Sequence, residues 1–400
     1  MLRKLSVKNF RLLRDVTIDV EPGKPIVLIG PNGSGKSSVI QVLDLLSRWA
    51  EEGFVAGCRA FGGVESLVTT GQDSATIDLV TTTLSRWSHL DLHYSAELPL
   101  GFLASFKECL EKRKKPADEF VTVLERQDSD LWLMNDKTNQ RDQLSVPAAV
   151  LSFEKFKQPT FYPVLDDLTR TIGTIDVYDG FLTTPLWTRD LREGKLSPFD
   201  SMTLEPVARI SRRGLDLTNA LYYIQQNHVE VWDELMDSFR AEFPFIQRLE
   251  FPADRAGGSV ALTFRDKRYP GERLRGSQMS EGMATYLCLL AAILSPEPAT
   301  ALAFDEPDRH LHPSALRRIA YLLERASERT AVFVATHSDR FLDYLSDPAG
   351  SIRICEPTAE GVKLRMLNRE ALDEWRTLYS LSALRERGQL DPENSAEIDP

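Results

Sequence analysis

The 400-residue chain is 42% hydrophobic and 27% charged, an ordinary globular composition, and its length fits two or three domain-sized units that bury a large core. Its four cysteines are far apart with no CxxC pair; this argues against a disulfide framework or a structural zinc site and fits a reducing, cytoplasmic setting. A balance of 48 Lys and Arg against 59 Asp and Glu leaves a net charge of -11, which counts against a broad nucleic-acid face and leaves only local patches to bind one.

The opening MLRKLSVKNF is basic but lacks a following apolar h-region, and no run of 18 apolar residues occurs. Neither secretion nor a membrane span is expected. Residues 2–20 alternate as two strands with a turn around Phe10 to Asp15. After Glu21-Pro-Gly-Lys comes PIVLIG, the short apolar run of a buried central strand. It runs straight into Gly30-Pro-Asn-Gly-Ser-Gly-Lys-Ser37 and the periodic helix SVIQVLDLLSRW.

That strand, glycine-rich turn and helix satisfy the GxxxxGK[ST] pattern in both spacing and context. Gly30, Gly33 and Gly35 let the chain curl so that successive N–H groups, including those of Asn32, Ser34 and Ser38, face a phosphate at the positive end of the helix. Lys36 is expected to reach the β- and γ-phosphates of ATP, and the Ser37 hydroxyl to ligate Mg²⁺.

Residues 76–134 read as strands around TIDLVTTTLSR, LDLHYSAEL and EFVTVLERQ. The run Lys112-Arg113-Lys114-Lys115 is read as a solvated loop, with a nucleic-acid phosphate contact as the alternative. His89 and His93 lack a nearby cysteine or ordered carboxylate cluster, so no metal is assigned to them. Between residues 155 and 250 come turns and amphipathic pieces, with two helices marked by Leu217, Leu221 and Ile224 and by Val231, Leu235 and Phe239. Arg209, Arg212 and Arg213 are read as a solvated turn, with a nucleotide or partner contact as the alternative.

Downstream, Arg275-Gly-Ser-Gln-Met-Ser-Glu-Gly-Met precedes the apolar helix ATYLCLLAAILS, with Ser280 as its N-cap and Gly282 in the first turn. In ATALAFDEP an apolar strand ends in two carboxylates suited to hold Mg²⁺ (Asp305) and to polarise the attacking water as general base (Glu306). TAVFVATHS is a further buried strand that delivers His337 and Ser338 at its end, where α/β sheets present reactive side chains.

Together these segments resemble the ABC-type ATPases of the SMC, RecF and OLD-like group, nearest to the small AAA_21-like predicted ATPases. The opening NFRLLRDVTIDVEPGKPIVLIGPNGSGKSSVI resembles theirs almost throughout. MSEG at 279–282 resembles the LSxG signature, LAFDEP the Walker B strand, DRHLHP at 308–313 the segment ending in LHP, and ATHS at 335–338 the switch-histidine strand. Asp308 stands where such proteins often have Glu, and His310 where a small residue or Asn is common. Gln72 is a candidate for the Q-loop glutamine, an exposed loop residue being the alternative.

The resemblance implies a P-loop NTPase of ABC/SMC-head type: α/β, with a mixed central sheet, flanking helices and an inserted subdomain. It also implies an ATP-dependent homodimer paired head to tail, with Ser280 and Gly282 contacting the partner's γ-phosphate and His337 sensing it. The expected division is residues 1–100 and 251–345 as the two halves of the head, 101–250 as an inserted helical subdomain, and 346–400 as a strand-helix extension with a polar tail. No sustained heptads lie between Ser37 and Ser280, so long DNA-encircling arms are not expected, and residues 339–400 are too few for an appended nuclease domain. ATP and Mg²⁺ are the expected cofactors. The process served is DNA repair or anti-phage defence by resemblance, or else nucleotide-controlled scaffolding of a separately encoded effector without DNA. A transporter subunit is a weaker third reading.

Overall fold

The computed structural model describes residues 1–83, 90–101, 106–147, 150–156, 161–183, 202–252, 258–370, 372 and 380–386. β1 (Leu2–Phe10) and β2 (Leu13–Asp19) form a hairpin turning at Arg11 and Leu12, and β3 (Ile26–Ile29) follows them into a different sheet. β4 (Ser74–Thr82), β5 (Asp91–Pro99), β6 (Lys107–Arg113), β7 (Val121–Gln127), β8 (Asp130–Asn135) and β9 (Gln140–Ser145) extend the hairpin into an antiparallel eight-stranded sheet of order β2-β1-β4-β5-β6-β7-β8-β9. Its β4 and β5 bury every second residue, as strands covered on one face must.

After β10 (Ile175–Tyr178) come two small antiparallel pieces. One pairs β11 (Met202–Thr203) with β13 (Ser259–Val260); the other joins β12 (Ile246–Glu250), β14 (Thr263–Asp266) and β15 (Leu274–Arg275). β16 (Ala301–Asp305), β17 (Ala331–Ala335), β18 (Ile352–Thr358) and β19 (Gly361–Met366) then complete a six-stranded mixed sheet of order β10-β16-β17-β3-β18-β19. All its pairings are parallel except the closing β18–β19 hairpin.

The parallel strands are buried on both faces and therefore lack a polar alternation. Ile26 and Leu28 of β3, Ala301 and Ala303 of β16, and Phe333 of β17 enter one apolar cluster with the eight-stranded sheet and α1 (Lys36–Glu51). Val27, Ile29, Leu302, Phe304, Val332 and Val334 point the other way. There they meet α5 (Leu217–Asn227), α6 (Val229–Glu242), α7 (Glu281–Ile293), α8 (Pro313–Ser327) and α9 (Asp339–Asp343), after the shorter α2 (Phe54–Arg59) and α3 (Ser152–Lys155) and the α4 helix (Pro163–Gly173) have packed near α1. α10 (Pro348–Ser351) and α11 (Leu381–Glu386) close the described chain. α7 is buried at each position from Met283 to Ile293, which is why its sequence is apolar all round.

Two expected boundaries do not follow the sheets. The division at residue 100 falls inside an antiparallel meander that runs on to Ser145, and the stretch expected to be a helical insertion also supplies β10, paired in parallel with β16. The extension expected after residue 345 supplies β18, the neighbour of β3. Sheet pairing joins these segments to the head because a ladder cannot be cut without orphaning its backbone groups. Among the described residues the longest helix, α1, has 16 residues, and no helix is long and apolar enough to cross a membrane.

Other expectations change at the level of side chains. Lys112 and Arg113 belong to β6 and pair with Asp136 at 3.0 Å and Asp91 at 2.9 Å, so the basic run is half strand, with Lys114 and Lys115 in the turn. Arg212 pairs with Asp44 on α1, while Arg209 lies 3.8 Å from Asp176 on β10, so these arginines clamp the 209–214 segment to the core rather than lying in a solvated turn; Arg213 is exposed. Burial pushes the Asp176 carboxyl up to about 7. His93 does have carboxylates beside it, Glu111 at 2.9 Å and Asp78 at 3.8 Å; His89 lies outside the described residues.

The eight-stranded sheet also buries a complete ion pair. Arg126 and Glu108 are both 2% exposed, with 2.7 Å between them. Arg126 further donates to the carbonyls of Asp128, Pro147 and Val150, and Glu108 accepts from the Tyr94 hydroxyl and from the Ser152 amide and hydroxyl.

Candidate active site

The C-terminal ends of β3, β16 and β17 lie side by side, so the loops leaving them converge on one edge of the sheet. From β3 the chain turns through Gly30–Gly35 into α1. A Cβ at Gly30 would stand 2.6 Å from the Cys355 carbonyl oxygen and 2.7 Å from Ser34 Oγ, so only glycine lets the loop pass β18 here. Lys36 is 6% exposed and donates from Nζ to the carbonyls of Gly30 at 3.0 Å and Pro31 at 2.9 Å. Ser34 and Ser38 are buried in the loop and the first turn of α1, whereas Asn32, Gly33 and Ser37 face solvent.

Asp305 ends β16, with the Ser37 hydroxyl close enough to its carboxylate to favour the charged form. Burial raises its pKa, the adjacent Glu306 adding to the rise, while the Ser37 hydroxyl and the Lys36 charge oppose it. A hydroxyl and a carboxylate near each other are the hard oxygen donors that would suit a Mg²⁺ ion beside phosphate oxygens and water. Among the described residues no group of three or more His, Cys, Asp or Glu side chains could hold a metal, and a site of this kind requires none.

Glu306 has φ +53°, a left-handed conformation uncommon for a residue with a side chain. Its amide donates to the Ala335 carbonyl at 2.8 Å, which ties it to β17. One carboxylate oxygen is 3.8 Å from His337 Nε2; the other pairs with Arg309. Asp308 accepts from Thr336 Oγ1 at 2.6 Å, and Thr336 Oγ1 in turn accepts from the Ser338 amide at 2.9 Å. The shorter acid at 308 thus fastens the loop after β16 to the residue just before His337. His310, also left-handed at φ +64°, completes a loop with two strained positions, a pattern found at functional sites.

The signature segment approaches from the other side. Ser280 caps α7, its hydroxyl accepting from the Met283 amide at 3.3 Å. Gly282 is where the loop after β16 meets the helix, since a Cβ there would lie 2.8 Å from the His310 carbonyl oxygen. His310 Nδ1 is 3.8 Å from Glu281. Glu281 and Thr285 line a cavity of about 170 Å³ with Asp305, Glu306, Arg309 and His310. Lys36, Ser37, Asp305, Glu306 and His337 are therefore gathered on the strand ends, while Ser280 and Gly282 flank Glu281, which lines that cavity. Gln72 is half-buried in the turn before β4, its side-chain amide donating to the Gly71 carbonyl at 3.2 Å.

Gly282→Ala tests the contact between helix and loop. Alanine is favoured over glycine inside a helix by about 1 kcal/mol, but here the obstacle is a main-chain carbonyl, and overpacking of this kind costs about 1–3 kcal/mol. The variant is expected to be less stable to urea than the wild type. Equal or greater stability would refute the contact.

Family models bear on both halves of the site. A model described as "AAA ATPase domain" matches residues 1–144, and one described as "AAA domain, putative AbiEii toxin, Type IV TA system" matches residues 211–343. Both halves of the site thus lie in segments that match ATPase-domain families. The fold is similar to that of a solved Smc head bound to the C-terminal winged-helix domain of ScpA, with a TM-score of 0.54 and 16% identity over 93% of this chain and 99% of that one. Curated relatives match over short stretches. The hemin import ATP-binding protein HmuV of Agrobacterium fabrum is 61% identical over 33 residues, 8% of this chain and 13% of that protein. The lipoprotein-releasing system ATP-binding protein LolD of Novosphingobium aromaticivorans is 36% identical over 62 residues, 16% and 25% of the two chains. The chain thus spans at most a quarter of these two relatives' length.

Two parts of the site left only a faint trace in the sequence. The Asp308–Thr336 bond joins two loops that are distant in sequence, and only the unusual Asp at 308 marked the position. The approach of the His310 carbonyl to Gly282 had one trace, a glycine in the first turn of an otherwise apolar helix.

Proposed function

We propose that the chain is a nucleotide-driven switch: ATP bound at Gly30–Ser37 pairs two copies head to tail, and hydrolysis releases them. The observation that carries this reading is an exposed helix end beside the strand-end residues. Lys36, Ser37, Asp305 and Glu306 sit on the strand ends, while Ser280, at the positive end of α7, is exposed and has only its own cap to satisfy. Such a helix end favours a phosphate, and a second copy's nucleotide supplies one.

In this reading the loop amides and Lys36 hold the phosphates, and Glu306 takes the proton of a water attacking the γ-phosphorus in line. Mg²⁺ on Ser37 and Asp305 would neutralise charge on the β- and γ-phosphates. His337 and the partner's Ser280 and Gly282 steady the departing phosphoryl group.

The switch is coupled to DNA repair or anti-phage defence. A second reading, a regulator of a separately encoded effector that needs no DNA, is favoured by the net charge of -11 and by the toxin–antitoxin wording of the family matched at residues 211–343. Lys36→Ala is expected to lower ATP affinity at least tenfold, because it removes the buried cation of the loop; nucleotide titration checks this, and unchanged affinity would remove Lys36 from the site. Phosphate release with and without double-stranded DNA separates the two couplings: stimulation favours repair, and its absence favours the effector reading.

A further inference from the structure

A basic patch stands on the small three-stranded sheet that leads into α7. Arg248, Arg265, Lys267, Arg268, Arg273 and Arg275 outnumber Glu250, Asp266 and Glu272 there by two to one, on a chain whose net charge is -11. Strand pairing sets Arg248 of β12 directly opposite Arg265 of β14, and puts Arg273, which precedes β15, beside Arg265 on the other flank. Like charges so placed repel each other across neighbouring strands. Glu250 answers all three: it accepts from Nε of Arg248 at 2.7 Å, of Arg265 at 3.1 Å and of Arg273 at 2.7 Å. Burial by itself would raise this carboxyl, yet the three guanidinium bonds hold it below the usual range. One carboxylate cannot balance three cations, so the row keeps a net positive charge.

We propose that this arginine row is a docking surface for the phosphate backbone of a nucleic acid. The bonds to Glu250 fix each side chain through Nε, which leaves the Nη edges of Arg248 and Arg273, on side chains 60% and 49% exposed, for an outside anion. Planar guanidinium edges held in a row suit paired phosphate oxygens. Lys267, Arg268 and Tyr269 extend the patch into the turn after β14, where Tyr269, 54% exposed, offers a ring face to a base or sugar. Arg268 is held over the Phe245 ring at 3.6 Å and pairs with the buried Asp266 at 2.6 Å. An acidic protein would meet the same charge, but a basic stripe beside an exposed aromatic is the pattern of a nucleic-acid face. The net charge that counts against a broad face leaves room for a local patch of this size. β15 runs through the short Gly276–Gln278 turn to Ser280, so a backbone seated here adjoins the start of α7.

This inference rests on the reading in which the switch is coupled to DNA, and the test separates the two. Binding of a labelled DNA duplex and of a labelled DNA single strand is followed by fluorescence anisotropy between about 50 and 200 mM salt. The proteins compared are the wild type, Arg248→Gln with Arg273→Gln, and Lys4→Gln with Lys8→Gln, which removes equal charge from exposed positions on β1 of the eight-stranded sheet. The arginine variant is expected to bind at least tenfold more weakly, with a slope of log affinity against log salt about two smaller, while the lysine variant stays within about twofold of the wild type. If the wild type binds neither DNA at the lowest salt, the DNA-coupled reading and this inference fail together. If it binds and the arginine variant binds equally well, or the lysine variant weakens as much, the inference alone is overturned. Competition by poly-glutamate as effective as that by unlabelled DNA of equal charge would mark a surface for acidic proteins and also overturn it. Should the arginine pair fail to fold, Arg248→Gln alone decides: unchanged affinity overturns the inference, and a several-fold loss with the slope lowered by about one supports it.

Discussion

Glu306→Gln is expected to lower ATP turnover by about 10²- to 10⁴-fold while leaving nucleotide binding intact, the range typical for loss of a general base. The amide matches the carboxylate in size and keeps one oxygen as an acceptor, so the hydrogen bond from the Glu306 main chain to Ala335 and the approach to His337 persist. The backbone at φ +53° costs the same for Gln as for Glu, so the fold has no reason to change. What disappears is the negative charge that accepts a proton and pairs with Arg309. With hydrolysis stalled, the ATP-bound state accumulates, and light scattering on the variant with ATP should report twice the protomer mass. Wild-type phosphate release would remove Glu306 from the base role; stalled release with a monomeric mass would instead overturn the head-to-tail pairing and leave the base assignment standing.

That experiment addresses the part of the molecule most legible in the sequence. The phosphate loop, the Asp305-Glu306 strand end and the His337 strand are local patterns, each set by a few adjacent residues whose spacing fixes their geometry. Paired strands such as β4 and β5 were legible for a similar reason, since alternation is written into the segment itself. β10 was not. Its four residues, Ile175 to Tyr178, have no period to read, and their place beside β16 is decided by tertiary packing. The arginines of the 209–214 segment were misread because their partners, Asp44 and Asp176, lie far away in sequence, and a basic turn looks solvated until those acids are found beneath it.

The buried pair in the eight-stranded sheet is hidden in the same way, and Arg126→Met is expected to cost about 3–5 kcal/mol, the usual penalty for leaving one member of a buried ion pair alone. Methionine fills much of the same volume but leaves Glu108 charged at 2% exposure, supported only by Tyr94 and Ser152. Elsewhere, replacing both members of a buried pair with apolar groups often restores stability. Here it should not. The carbonyls of Asp128, Pro147 and Val150 all rely on the Arg126 guanidinium, and the Tyr94 hydroxyl and Ser152 amide rely on Glu108. The double variant Arg126→Met with Glu108→Leu therefore exchanges one buried charge for several orphaned polar groups, each costing about 1–3 kcal/mol. Urea unfolding followed by tryptophan fluorescence should place both variants well below the wild type. Full recovery in the double variant would show that those carbonyls find other partners, and that the pair is a replaceable contact rather than the hub joining β6, β7 and the segment that leads into α3.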